Sequence, residues 1–96
     1  MYGTVAKMTI KPGAEADLMR LFDDIAGEIE SPGYITDYVY RMDNEPDVYY
    51  MAVLFKDRES YAANAADPAM HARYLRYRAL LESDPEWHDG EVIWPR

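Results

Sequence analysis

Tyr61 and Asn64 stand three residues apart, a spacing that puts both side chains on one face of a helix. A phenol beside a carboxamide offers donors and acceptors enough to hold a polar ligand atom. The plainer alternative is a tyrosine packed on a sheet and an asparagine facing water. His71 falls one residue from the inward stripe of a later helix and can act as a base near neutral pH, or sit half-exposed on the helix. His88 lies beside Asp89 and near Glu91, but a metal would need further ligands from elsewhere, so no metal site is expected. Arg73, Arg76 and Arg78 suit an anionic substrate, or a solvated face shared with Glu82 and Asp84. Tyr34, Tyr38 and Tyr40 alternate along one stretch and either line a cavity or fill an interface.

Other chemistries lack their residues. The chain has no cysteine, which removes disulfides, thiolate nucleophiles and thiolate metal clusters. There are only two histidines, neither in an evident Ser-His-Asp arrangement. No glycine-rich phosphate loop occurs.

These residues must be positioned by a small frame. The 96 residues suit a single domain spanning 1–96, and a chain of this size buries roughly 60–65% of its unfolded surface. Hydrophobic residues make up 49%, the composition of a folded protein. Net charge is −8, which repels a phosphate backbone, so no nucleic-acid partner is expected. No apolar run approaches the ~20 residues a membrane helix needs. The first residues carry no basic segment followed by an apolar one. A cytoplasmic protein is the expectation.

Residues 2–11 alternate, with Ala6, Met8 and Ile10 on one face and Val5, Lys7 and Thr9 on the other, the period of a strand. Lys11-Pro12-Gly13 stops it. Over 14–30, Leu18, Leu21, Phe22, Ile25 and Ile29 recur at helical steps, and Ser31-Pro32-Gly33 ends that helix. Residues 34–42 form a second strand with Tyr34, Thr36, Tyr38, Tyr40 and Met42 on one face. A five-residue loop, Asp43–Asp47, leads to the almost wholly apolar strand 48–55. Asp57 caps a short helix to Ala66; Asp67-Pro68 starts another over 69–82, turning Met70, Tyr74, Tyr77 and Leu81 to one side. Gly90–Trp94 reads as a last short strand.

The order is β-α-β-β-α-β, so the fold class is α+β: a ferredoxin-like, four-stranded antiparallel sheet with its helices on one face. The bare face should then be polar. It is not: the tyrosine row and the third strand make it apolar, and monomers rarely expose such a patch. A second copy packed face to face resolves this as a homodimer. Any active cavity is expected inside that enclosure.

Particular residues carry a family likeness: Lys11-Pro12-Gly13, Pro32-Gly33-Tyr34, Tyr40-Arg41 and Pro46, then Phe55-Lys56-Asp57-Arg58-Glu59-Ser60-Tyr61 and Asp67-Pro68. With them the chain resembles the antibiotic biosynthesis monooxygenase family of dimeric α+β barrels, from Val5 to Ile93. The resemblance implies a monooxygenase that uses no metal, flavin or haem and oxidises a small phenolic, quinol or polyketide-like aromatic with O2. Family enzymes usually carry a tryptophan at the end of the third strand, where this chain has Phe55, and a tyrosine six residues on, matched by Tyr61. An asparagine on the third strand is replaced by Met51. Many relatives have a histidine at the position of Asn64, and an arginine of the last helix corresponds to Arg76 or a neighbour. Haem-degrading relatives need a histidine where Tyr74 stands and an asparagine where Ala6 stands, so haem degradation is rejected.

The candidate catalytic residues are therefore Tyr61, Asn64, His71 and Arg76, and the candidate substrate-binding residues Tyr38, Tyr40, Met51, Phe55 and Tyr74. No cofactor is expected; the partners are a second copy, a small aromatic substrate and O2. The alternative is a non-catalytic homodimer that binds a small hydrophobic ligand or serves as structure.

Overall fold

In the computed structural model, which describes residues 1–28 and 31–94, the alternating apolar positions of the first strand settle the layout. Strand β1, Tyr2–Thr9, points Thr4, Ala6 and Met8 into the core and leaves Val5 exposed. Helix α1, Glu15–Glu28, buries Leu18 and Ile25; Ile29, assigned to the same stripe by its spacing, lies outside the described residues. Strand β2, Tyr34–Arg41, and strand β3, Val48–Phe55, form the hairpin. Helices α2, Arg58–Ala66, and α3, Pro68–Arg78, follow. Asp57 caps α2 by accepting from the Ser60 N–H, and Asp67 caps α3 by accepting from Ala69. The last strand is β4, Glu86–Glu91.

The strands form one antiparallel sheet in the order β2-β3-β1-β4, the ferredoxin-like arrangement. The sheet of one chain is open, not a closed barrel. Its helix-covered side holds the core, with Ala6, Met8, Leu18, Tyr49, Met51, Tyr77 and Leu81 together. On the other side Val5, Tyr38 and Tyr40 are about half exposed.

Three details depart from the sequence expectation. The last strand spans 86–91 rather than 90–94: the apolar run Val92-Ile93-Trp94 suggested a strand, yet Ile93 and Trp94 stand out in solvent. The true strand is polar, Glu-Trp-His-Asp-Gly-Glu, and pairs with β1 at the sheet edge, where backbone bonds suffice and charge discourages further pairing. Helix α3 ends at Arg78, not 82, because Leu81 leaves it to bridge Ile10. Finally, the tyrosines of β2 do not share a face. The register with β3 shifts between Tyr34 and Thr36, and a bulge of this kind reverses which face later residues occupy. Tyr34 stays on the helix side against Phe55, with ring centroids 5.8 Å apart, while Tyr38 and Tyr40 face the bare side.

Gly33, just before β2, has φ +85° and would drive a Cβ to within 2.5 Å of Ser60. Only glycine fits there without strain, and its carbonyl accepts from the Lys56 N–H at 2.8 Å. This packs the start of β2 against the entry to α2 and so fixes where α2 lies over the sheet.

Candidate active site

Between the sheet and the pair α2–α3 lies a cavity of about 400 Å³, within the range of small-molecule sites. Its floor is built by one face of three strands: Thr4 of β1, Met51, Val53 and Phe55 of β3, and Trp87 and Asp89 of β4. Alternation along each strand puts these residues on the same side. The register confirms it, pairing Thr4 with both Val53 and Asp89, and Ala6 with both Met51 and Trp87. The roof is helical. Tyr61 and Asn64 descend from α2, and Met70, His71, Tyr74 and Tyr77 from α3, at the three- and four-residue steps that keep one face inward.

The walls are mostly aromatic. Phe55 meets Tyr61 edge-on at 5.6 Å, Tyr74 meets Tyr77 at 5.3 Å, and Tyr74 and Trp87 lie 6.3 Å apart. Such edge and tilted contacts hold rings in place beyond simple burial. His71 and Trp87, both exposed, stand at the mouth.

Polar groups gather at one end. The Tyr61 hydroxyl donates to Asp89 Oδ1 at 2.7 Å. Burial and then that carboxylate push its pKa up to about 12, with Thr4 working the other way. Thr4 is only 5% exposed, and its hydroxyl has no hydrogen-bond partner. It lies near enough to influence the phenol without meeting hydrogen-bond geometry. A buried hydroxyl left unpaired costs stability, and its residue lines the cavity floor. Across the roof, Asn64 Oδ1 accepts from Ser31 Oγ at 2.9 Å, which leaves its amide N–H groups as the donors available to the cavity.

Of the residues singled out in the sequence, the cavity brings together Tyr61, Asn64, His71, Met51, Phe55 and Tyr74. Arg76 is elsewhere. Two positions on from Tyr74 it points off the opposite side of α3, where it holds Glu28 of α1 through both carboxylate oxygens at 2.9 and 3.1 Å. Arg73 reaches the same Glu28, and Arg78 pairs with Asp84 at 2.7 Å, so these arginines tie helices and turns together. Tyr38 and Tyr40 face the bare side of the sheet, for the reason of the bulge. The cavity itself lies beneath the helices, not in the enclosure expected over the bare face. Thr4, Trp87 and Asp89 line the cavity as well and are not among the candidate residues of the sequence. Thr4 is a strand residue in the core-facing register, a signal that was available; Trp87 and Asp89 sit on the strand that was misplaced. Among the described residues no group of three or more His, Asp or Glu converges so as to hold a metal ion, and no helix is long and apolar enough to cross a membrane.

The tyrosines carry a pH consequence. Tyr34, Tyr49 and Tyr61 are pushed up to about 12, chiefly by burial, and Tyr77 is raised by burial as well. A phenol whose folded pKa lies above its unfolded value of about 10 contributes stability below pH 10 and loses it as pH rises toward the folded pKa. Chemical denaturation at stepped pH should therefore show a midpoint that falls between pH 10 and 12. A midpoint constant across that window contradicts the burial of these hydroxyls.

Comparison with known proteins places the chain. The model of the family described as antibiotic biosynthesis monooxygenase matches residues 1–73. No curated protein matches in a sequence search. Among solved structures, the chain is similar to SnoaB of Streptomyces nogalater, a cofactor-independent oxygenase, with TM-score 0.83 and 19% identity over 98% of this chain and 94% of that one. It is similar too to a conserved protein of Methanosarcina mazei, with TM-score 0.79 and 21% identity over 93% and 89%. A candidate antibiotic biosynthesis monooxygenase of Caulobacter crescentus gives 0.83 and 18% over 97% and 90%. At such identities the structures speak for the fold. The family match, covering well over half of the chain with an aromatic cavity under its helices, makes this chain a member of the antibiotic biosynthesis monooxygenase family.

Proposed function

We propose that the chain is a monooxygenase that oxidises a small phenolic, quinol or polyketide-like aromatic with O2, and that it works as a homodimer. The observation that carries the reading is the cavity: an aromatic-walled space of about 400 Å³ whose polar groups, Thr4, Tyr61 and Asp89, gather at one end. A flat ring fits the walls, and a ring hydroxyl fits that end.

The substrate can supply the electrons itself. A phenol or hydroquinone gives an electron to O2 most readily as its proton leaves, and the two radicals then join at a ring carbon. Loss of water leaves that carbon as a carbonyl, so the ring C–H becomes C=O and the second oxygen atom leaves as water. The substrate is the only reductant. The protein has then to bind the ring, exclude bulk water and take the hydroxyl proton. Tyr61, backed by Asp89, is the group placed for the last task, and Thr4 is placed to hold the hydroxyl there. His71 at the mouth and the Asn64 amide are placed to orient the far side of the ring.

The test is oxygen uptake with a panel of hydroquinones and naphthols in the presence of a metal chelator. Uptake above the protein-free rate supports the reading. Ring binding with no uptake across the panel would instead indicate a binder on the same scaffold.

The dimer rests on the bare sheet face, where Val5, Tyr38 and Tyr40 are exposed by 48, 60 and 55%. With Leu54 and Ala52 between them, these form a contiguous apolar surface of the sort that a two-fold partner covers. Light scattering at micromolar concentration should give twice the 11.1 kDa of one chain; the mass of a single chain contradicts the dimer.

A further inference from the structure

Asp89 touches two spaces at once. From β4 it lines the aromatic cavity on one side and, on the other, a second cleft of about 400 Å³ that opens toward solvent. That cleft is charged, with Lys56, Asp57, Arg58 and Glu91 around it. The Tyr61 hydroxyl is the link, since its ring lines the cavity and its proton is directed to Asp89 at 2.7 Å. The wall between an aromatic space and an ionic one is thus a phenol and a carboxylate in contact.

The direction of that hydrogen bond decides what the cavity end can do. With its proton committed to Asp89, Tyr61 presents oxygen lone pairs inward and so accepts from a ligand. Thr4, directly across the strand pair from Asp89, is buried with an unpartnered hydroxyl and can donate. A ring hydroxyl can accept from Thr4 and donate to Tyr61 at once. A carbonyl could not donate to Tyr61, and an ammonium could not accept from Thr4.

We propose that Tyr61 and Asp89 form a proton exit from the cavity to the charged cleft, with Thr4 holding the ring hydroxyl of the ligand against Tyr61. The inference rests on the reading of the cavity as a site for a phenolic ring, and it assigns Asp89 as the terminal proton acceptor. The step balances simply. The ligand O–H bond breaks and its proton joins Tyr61 Oη; the Tyr61 O–H bond breaks and its proton joins the Asp89 carboxylate. Tyr61 ends as it began, Asp89 becomes neutral, and the ligand is left as its oxyanion, or as the neutral radical when O2 takes an electron in the same event. Asp89 then releases the proton into the cleft. A tyrosine that resists ionisation suits a relay, because it passes a proton on without storing charge in the cavity.

The groups facing this pair come from every element around it. Tyr2 of β1 lies 5.3 Å from the Tyr61 ring, with the Arg58 guanidinium 5.2 Å over Tyr2. Lys56 and Asp57 face Asp89 across the cleft from the turn after β3, and Glu91 shares its strand.

A photoacid reads the relay without any need for oxygenase turnover. The hydroxyl of 2-naphthol becomes strongly acidic on excitation, and its anion and neutral forms emit at different wavelengths. Excited beyond the protein's own absorption, 2-naphthol bound to the wild-type chain should emit largely as the anion. In Asp89→Asn and in Tyr61→Phe the ratio of anion to neutral emission should fall by about tenfold or more, in line with what a positioned proton acceptor contributes. Thr4→Val should weaken binding and leave the ratio of the bound probe near that of wild type. Bound naphthol whose anion emission is unchanged in Asp89→Asn overturns the relay and leaves the phenolic site standing. Absence of naphthol binding to the wild-type chain overturns both. Asp89 is exposed, so its asparagine variant keeps the fold, and a circular dichroism spectrum matching the wild type verifies this.

Discussion

Replacing Tyr61 by phenylalanine should leave the chain folded and lower its oxygen uptake on a hydroquinone about a hundredfold, the lower part of the range for a positioned proton-transfer group. The ring contacts survive the change, since Tyr2 at 5.3 Å and Phe55 at 5.6 Å touch the ring and not the hydroxyl. What disappears is the oxygen that faces the ligand and the bond to Asp89. Asp89 is exposed and is solvated in the variant, so no buried group is orphaned, and the stability change should stay within about 1 kcal/mol. The two readouts separate chemistry from folding: uptake falls while the urea midpoint hardly moves. Uptake equal to wild type would remove Tyr61 from the reaction. A joint collapse of uptake and midpoint would make the residue structural.

The opposite pattern is expected at Phe55. Truncation to alanine should cost about 3–4 kcal/mol of stability, a large share of the roughly 5–15 kcal/mol that holds a small domain folded. Phe55 is 1% exposed and stands at the end of β3 between Tyr34 at 5.8 Å and Tyr61 at 5.6 Å, edge-on to both. Losing it removes the transfer energy of the ring and two aromatic contacts. The void would open into the existing cavity and admit water, which keeps the cost below the upper end for such truncations. For a domain of this length the melting temperature should drop by roughly 15–30 °C. A drop of only a few degrees by calorimetry would show that Phe55 lies beside the core rather than in it. The same residue lines the cavity, so its packing also sets how far the cavity extends.

How much of this was legible in the sequence follows from which signals are local. Alternation in 2–11 and the helical spacing of Leu18, Phe22 and Ile25 report burial directly, and they identified the first strand and the first helix. Asp57 and Asp67-Pro68 mark their own helix starts by capping, which separates α2 from α3. The last strand was displaced because an edge strand is held by backbone bonds and needs no apolar pattern; the apolar Val92-Ile93-Trp94 drew the assignment away from Glu86–Glu91. The tyrosine row failed for another local reason. Strict alternation assumes an unbroken register, and the irregularity at Ile35 puts Tyr34 under the helices while Tyr38 and Tyr40 go to the bare face.

The candidate site was legible where helices contribute to it and less so where strands do. Tyr61 and Asn64 announce a shared helical face, and Tyr74 lies on the inward stripe of α3. Arg76 fails by its phase on that helix, because a residue two positions from an inward one points away, and Glu28 claims it. Thr4 shares the alternation of Ala6 and Met8, but its meeting with Asp89 depends on a cross-strand pairing between segments far apart in sequence, and no local pattern encodes that. The bare sheet face carries the stronger apolar signal in the sequence, whereas the cavity lies on the helix side.

The most direct test of the central claim, that a phenolic ring sits beneath α2 and α3 with its hydroxyl at Thr4 and Tyr61, is an anaerobic crystal structure with 1,4-naphthohydroquinone bound. The account predicts the ring against Met51 and Trp87, with one hydroxyl within hydrogen-bonding distance of both Thr4 Oγ1 and Tyr61 Oη. A ring lodged on the bare sheet face beside Tyr38, or a cavity left empty at saturating ligand, would contradict it.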